Sequence, residues 1–244
     1  MSIAFFDVDG TLLPHPSLER RFFWYLARRG KIRAANFSRW VAEMLRLRSS
    51  NLVTALQSNK MYLRGVSAAI LGHGCWAQDR YWMPEFFPGA IERIWWHALR
   101  GDGIVLVTGT LAPLAEVVKA ALERELLWRG VPWQVSMFAT ELGLCEGSFT
   151  GTVEGQTRSG EEKAAAVKQC ALAYGAPLPE CFAYGDHALD RPMLEVVGSP
   201  IAVNPTWRLR QIARQRGWQV MKWAARARRA APPHALKWKG EVAR

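Results

Sequence analysis

Scarce features exclude several classes of protein before any motif is considered. The 244-residue chain has four cysteines, Cys75, Cys145, Cys170 and Cys181, and none stands in a Cys-x-x-Cys pair or another spacing typical of a metal site. A disulfide framework and a zinc site are thereby excluded, and the four are expected to be reduced packing residues in a reducing compartment. No charge-free apolar run is long enough to span a bilayer. The N-terminus does not read as a secretory signal, because the apolar residues 3–6 meet Asp7 and Asp9 at once. Internal repeats are absent too. A cytoplasmic globular protein is the resulting expectation.

Acidic residues are scarce in two stretches. Between positions 205 and 244 eleven Lys or Arg face one acid, Glu241, and between 17 and 48 nine face two, so these stretches carry +10 and +7 of a net +11. The rest of the chain is therefore acidic, as in a neutral-to-acidic core with basic attachments. Such attachments favour anionic partners of any kind. Half of the residues are apolar, enough to bury a sizeable core.

Residues 3–6 form a short apolar run with aromatics, bounded by acids and glycine, and are expected as a buried strand. From 17 to about 83 the pattern turns helical. Leu18, Phe22, Tyr25 and Leu26 recur at three-to-four spacing, and Arg28, Arg29 and Gly30 signal a stop. Asn36 and Asn51 are expected N-caps of two more helices, and Gly65 and Ser67 divide these from a fourth. Pro84, Pro88 and Gly89 punctuate the end of this block. After a helix at 90–99, the unbroken run Ile104, Val105, Leu106 and Val107 is expected inside a two-sided sheet. Helices at 113–128, 161–174 and 191–196 then alternate with strands at 134–138, 181–184 and 201–203, and a glycine-rich hairpin covers 141–155.

Alternation of this kind predicts an α/β fold, a Rossmann-like parallel sheet with helices on both faces, whose ligands bind at the carboxyl ends of the strands. The expected organisation is a catalytic core of residues 1–14 and 89–223, an inserted all-helical cap at 15–88, and a flexible basic tail at 224–244.

Three expected strand ends carry polar residues: Asp7-Val8-Asp9-Gly10-Thr11, Thr108-Gly109-Thr110, and Gly185-Asp186 with Asp190 four residues beyond. In a parallel sheet they converge on one crevice, and Lys163, near a helix start, can add a cation. A carboxylate such as Asp7 can attack phosphorus directly and form an acyl phosphate. Nucleophile and phosphate are both anions, so a magnesium ion held by carboxylates and a main-chain carbonyl is needed to offset their repulsion. Asp9 lies on the same side of the turn and can protonate the leaving oxygen, then activate water. Gly10 permits close backbone approach to a ligand, and Thr108 offers a hydroxyl without bulk.

Together DVDGT, the apolar strand ending in Thr108, Lys163 and GDHALD resemble the four motifs of the haloacid dehalogenase superfamily, over residues 3 to about 223. The resemblance implies Asp7 as nucleophile, Asp9 as acid/base, and Gly10, Thr108, Gly109 and Lys163 as phosphate-binding residues. It further implies Mg2+ held by Asp7, the main-chain carbonyl of Asp9 and Asp186, with Asp190 supporting. The helical insertion after the first motif, and Asn204-Pro205, Leu209, Arg210 and Gly217-Trp218 later, look like the phosphoserine-phosphatase-like branch, where the insertion is a mobile cap. Arg64, just before Gly65 in an inter-helix turn, is the cap cation expected to face the crevice.

Two positions depart from that branch. An acid is common seven residues after the second Asp, and here Pro16 stands there with Glu19 out of register; Leu189 replaces a common Asn. Phosphoserine is therefore disfavoured, and the expected partner is another small-molecule phosphate ester. Several residues have a second reading: Lys163 as a solvated helix charge with Lys168 in its place, Asp190 as the N-cap of the helix at 191, and His187 as a polar loop residue. The alternative function is a membrane-surface phosphatase acting on a lipid phosphate. Arg20, Arg21, Arg28, Arg29, Lys31 and Arg33 surround Phe22, Phe23, Trp24 and Tyr25, so the basic cap and tail fit weak contact with an anionic membrane. Nucleic acid is disfavoured as a partner, because no recognised motif accompanies the basic tail.

Overall fold

A computed structural model describes residues 1–46, 59–71, 85–155 and 157–225. One seven-stranded sheet organises them, in the order β4-β3-β2-β1-β5-β6-β7. Its strands are β1 (Ile3–Phe6), β2 (Gly103–Leu111), β3 (Val135–Cys145), β4 (Ser148–Glu154), β5 (Phe182–Gly185), β6 (Ser199–Val203) and β7 (Gln219–Met221). All pairings are parallel except β3 with β4, which is antiparallel. The α-helices among the described residues are α1 (Leu18–Arg28), α2 (Ala34–Arg46), α3 (Pro88–Leu99), α4 (Ala112–Trp128), α5 (Glu161–Ala173), α6 (Arg191–Glu195) and α7 (Trp207–Arg216).

β1 is central and buried on both faces, which is why its sequence is continuously apolar. Ala4 and Phe6 join the core under α3 and α4, while Ile3 and Phe5 join the one under α5 and α7. Side chains that alternate in direction along a strand feed both layers, each large one contributing roughly 1.5–3 kcal/mol on full burial. A buried polar cluster ties α3 to β5 and to the segment before β2. His97 of α3 is fully buried, its Nδ1 2.8 Å from Asp102 and its Nε2 2.8 Å from the hydroxyl of Tyr184 on β5. Burial lowers the His97 pKa to about 4, so the ring is neutral and can donate to Asp102 while accepting from Tyr184. Tyr184 accepts in turn from Arg93 Nε at 2.7 Å.

Several sequence expectations need correction. Asn36 is not an N-cap: it lies inside α2, buried, and its amide donates to the carbonyls of Tyr62 at 3.3 Å and Arg64 at 2.6 Å. Two turn carbonyls gain a donor there, which outweighs the weak helix preference of Asn. Asn51 lies outside the described residues, as do Pro84, Cys75 and residues 226–244 of the tail. The strand expected at 134–138 and the hairpin expected at 141–155 share a single strand, β3, whose first half pairs with β2 and whose second half pairs with β4. β2 runs past Val107 to Leu111, while α7 and β7 were not expected as elements at all. Cys145 is exposed rather than packed, whereas Cys170 and Cys181 are buried.

The inserted segment rests on the core. Phe22, Tyr25, Leu26, Tyr62, Leu63 and Val66 form an apolar cluster with Leu111, Leu114, Leu142 and Phe149. Backbone bonds from Gly65 to Phe149 and from Phe149 to Val66, both 2.9 Å, tie the insertion to β4.

Candidate active site

The chain leaves β1 into Asp7 and turns back on itself, Leu12 and Leu13 donating to the carbonyl of Val8. β2 loses register with β3 between Val107 and Leu111, so four residue steps on β2 span two on β3. The irregularity carries Thr108, Gly109 and Thr110, and β5 ends at Gly185, just before Asp186. These three segments and the N-terminal turn of α5 surround a cavity of about 250 Å3 lined by Asp7, Asp9, Thr108, Gly109, Lys163, Asp186 and Asp190.

Lys163 organises the floor. Its Nζ donates to Asp7 Oδ1 at 2.6 Å and to Asp190 Oδ1 at 2.5 Å, and all three side chains are buried. The second oxygen of Asp190 accepts from the backbone N–H of Asp186 at 3.2 Å and of His187 at 3.0 Å. Asp190 therefore binds the preceding loop and Lys163, and its side chain does not cap α6. Lys163 is neither solvated nor replaced: Lys168 is absent from the cavity lining. His187 is exposed, with Nδ1 accepting from Leu189 N–H at 3.3 Å, a loop-shaping role.

Carboxylate oxygens of Asp7, Asp186 and Asp190 lie within 4.8 Å of one another. Burial, the neighbouring carboxylate of Asp190 and, weakly, Asp9 push the Asp7 pKa to about 7, against the opposing pull of Lys163. Burial and the Asp7 carboxylate push Asp186 to about 9. Burial works against the ammonium of Lys163, yet the charges of Asp190 and Asp7 outweigh it and raise that pKa. With all three carboxylates ionised against one ammonium the site would hold an excess of buried negative charge, which is why their protons are held tightly, and the all-oxygen donor set suits a hard divalent cation such as Mg2+ far better than a thiolate- or imidazole-seeking metal.

Gly10 is required here for a reason other than ligand approach. Its φ is +89°, and the Asp186 carboxylate and His15 Nε2 occupy the space a Cβ would fill. Asp9 sits above the floor: Oδ1 accepts from Leu18 N–H at 2.8 Å, at the N-terminus of α1, and Oδ2 accepts from the Thr110 hydroxyl at 2.5 Å. Burial raises its pKa, and these two hydrogen bonds partly oppose the rise. The buried Thr108 accepts from Thr110 N–H at 3.1 Å.

Arg64 is exposed and is not among the residues lining the cavity; its carbonyl accepts from Asn36 and its backbone N–H donates to the Met61 carbonyl at 3.2 Å. Among the described residues between β1 and β2, Lys60 is a buried cation at the cavity, 4% exposed, with Nζ 2.5 Å from Glu19 Oε1, and the Tyr62 hydroxyl donates to the same oxygen at 2.9 Å. Glu19, out of register in the sequence, is thus brought to the wall by the first turn of α1. Lys60 had no sequence signal, being a lone basic residue between helical patterns. Thr157, Arg158 and Ser159 also line the cavity, in a loop held by the Thr140 hydroxyl, which accepts from Arg158 N–H at 3.2 Å and donates to the Gly109 carbonyl at 2.9 Å. A polar run directly before a helix, following a strand of the same sheet, was the available signal.

A parallel sheet with helices on its faces and a carboxylate-lined crevice at the carboxyl ends of its strands is the arrangement in which open α/β sheets bind their ligands. The chain belongs to the haloacid dehalogenase-like hydrolases, whose family model matches residues 4–195. It is 32% identical over 246 aligned positions to phosphoserine phosphatase SerB1 of Mycobacterium tuberculosis, covering 96% of this chain and 75% of that one. A solved protein of unknown function from Bordetella pertussis Tohama I is similar with 30% identity and a TM-score of 0.70, over 90% of this chain and 97% of that one. A phosphoserine phosphatase solved as an analogue of its phospho-aspartyl intermediate shares the fold, with a TM-score of 0.60 and 20% identity over 92% of this chain and 94% of that one. No helix among the described residues is long and apolar enough to cross a membrane.

Proposed function

We propose that the protein is a magnesium-dependent phosphomonoester hydrolase working through an aspartyl-phosphate intermediate, on a small phosphorylated metabolite in the cytoplasm. The observation that carries this reading is the buried Lys163 bridge between Asp7 and Asp190, set in a cavity with three more carboxylates. Asp7 attacks phosphorus, so that a carboxylate–phosphorus bond forms as the ester P–O bond breaks, and Asp9 gives its proton to the departing oxygen. Burial favours the protonated form of Asp9 that this first step needs. Water then attacks the acyl phosphate while Asp9 takes up its proton, releasing phosphate and restoring Asp7. Thr108, Lys163 and the backbone at Gly109 and Gly10 hold the phosphoryl oxygens. Asp7, Asp186 and the main-chain carbonyl of Asp9 would hold Mg2+, with Asp190 supporting by orienting Lys163; when bound, the ion supplies charge neutralisation between the two anions.

The chain's 1–14 and 89–223 form the catalytic core in this reading, and 15–88 the cap. Glu19 and Lys60 present a paired anion and cation where the leaving group lies, which favours a small, charged leaving group and lessens the objection raised by Pro16. Rapid acid quenching during turnover of a hydrolysed ester is expected to trap one hydroxylamine-labile phosphate on Asp7. Turnover with no such adduct would overturn the covalent route.

Lys60→Ala is expected to raise the Michaelis constant for the true substrate about tenfold or more, while para-nitrophenyl phosphate changes by less than about threefold. Because the substitution strands the Glu19 carboxylate, Glu19→Gln/Lys60→Met serves as the folding control. Equal effects on both esters in both variants would remove the pair from the leaving-group wall.

A further inference from the structure

We infer that the exposed apolar ridge of α2 is a docking surface for an anionic lipid bilayer. In α2, Asn36 is buried and bonded to the Tyr62 and Arg64 carbonyls, and the Trp40 carbonyl accepts from Asn59 at 2.8 Å. Those contacts fasten one side of the helix to the insertion. On the adjoining side Phe37, Val41 and Leu45 recur every fourth residue, and so lie along one ridge of the helix. All three are exposed, Phe37 at 55%, Val41 at 37% and Leu45 at 64%, and Trp24 of α1 is 53% exposed. Phe37 also stacks on Trp40 at 5.9 Å, while Val41 and Leu45 extend the ridge outward from that contact.

Charge decides what covers it. From position 20 to 42 there are seven Lys or Arg and no acid. Lys31 and Arg33, in the loop leading into α2, are exposed. A second copy of this chain would set two strongly positive regions face to face. A nucleic acid would be served by the cations and by Trp24, but has no use for the aliphatic side chains of Val41 and Leu45. An anionic bilayer uses both, its headgroups attracting the cations while its acyl boundary takes the apolar ridge and the tryptophan. The surface is independent of the cavity lining, so it bears on where the enzyme works and leaves the reaction unchanged.

The test is co-sedimentation of the full chain with vesicles of phosphatidylcholine alone or with about 30 mol% phosphatidylglycerol. The wild type is expected to prefer the anionic vesicles by about tenfold or more, with binding falling as salt rises. The triple variant Phe37→Ser/Val41→Ser/Leu45→Ser is expected to lose about tenfold of that binding while hydrolysing a soluble ester at the wild-type rate. Its basic C-terminal stretch is intact, so unchanged vesicle binding would assign the interaction to the tail and overturn the proposal. No binding by the wild type, equal binding to both vesicle types, or a wild-type dimer that the variant converts to a monomer would overturn it as well. Should the variant lose soluble-ester activity, the milder Leu45→Ser alone, checked for a wild-type melting temperature, gives the same comparison with a smaller expected loss.

Discussion

Asp7→Asn is expected to lower turnover by a factor on the order of 10³ or more while the protein stays folded. The amide has the shape of the carboxylate but is not a competent nucleophile, and it brings no negative charge to a metal. Lys163 keeps its bond to Asp190, and the amide oxygen can still accept at the place of Asp7 Oδ1. Burial disfavours ionised Asp7, whose pKa is pushed up to about 7, so a neutral replacement relieves repulsion with Asp186 and Asp190. The metal-free variant should therefore melt no lower than the wild type at about pH 8, where Asp7 is otherwise ionised. Activity within tenfold of the wild type in the purified, folded variant would sink the assignment of the nucleophile. A large fall in melting temperature would instead show Asp7 to be chiefly structural.

Removal of divalent metal is expected to abolish activity and, separately, to change how stability depends on pH. Asp7 and Asp186 have folded-state pKa values raised from 3.8 to about 7 and about 9, so the folded protein binds their protons more tightly than the unfolded chain does. Their contribution to stability is complete below the unfolded value and is lost as pH rises through the folded ones. The metal-free protein should then lose stability between about pH 4 and pH 9. Mg2+ needs the ionised carboxylates, so its binding releases protons and reverses the trend. Saturating Mg2+ is expected to raise the melting temperature by about 3 °C or more at about pH 8, and by less at about pH 6. A melting temperature indifferent to Mg2+ at both pH values, or full activity after exhaustive chelation, would contradict the carboxylate cluster as a metal site.

The two halves of the site differ in how readable they were. Asp7, Asp9, Thr108, Lys163, Asp186 and Asp190 stand at strand ends or at the start of a helix, positions marked by an apolar run breaking into polar residues. Parallel strands bring such positions together whatever the loops between them do. The side of the site built from the segment between β1 and β2 followed no such rule. Arg64 was the expected cation because it sits beside a turn glycine, but its side chain is exposed away from the cavity lining, and the buried Lys60 four residues earlier meets Glu19 instead. Thr110, next to the recognised Gly109, is the side chain that donates to Asp9.

The sequence alone determined the parallel α/β core, since period-free apolar runs alternating with helical patterns can bury both faces of a strand in few other ways. It also determined which strand ends are polar, and so where a site can form. Only the tertiary structure decided the irregular pairing of β2 that carries Thr108 to Thr110, the single long β3 serving two partners, the buried placement of Asn36, and the meeting of Glu19 with Lys60. Each of these depends on which groups remain without a partner once the layers pack, and local sequence spacing carries no record of that.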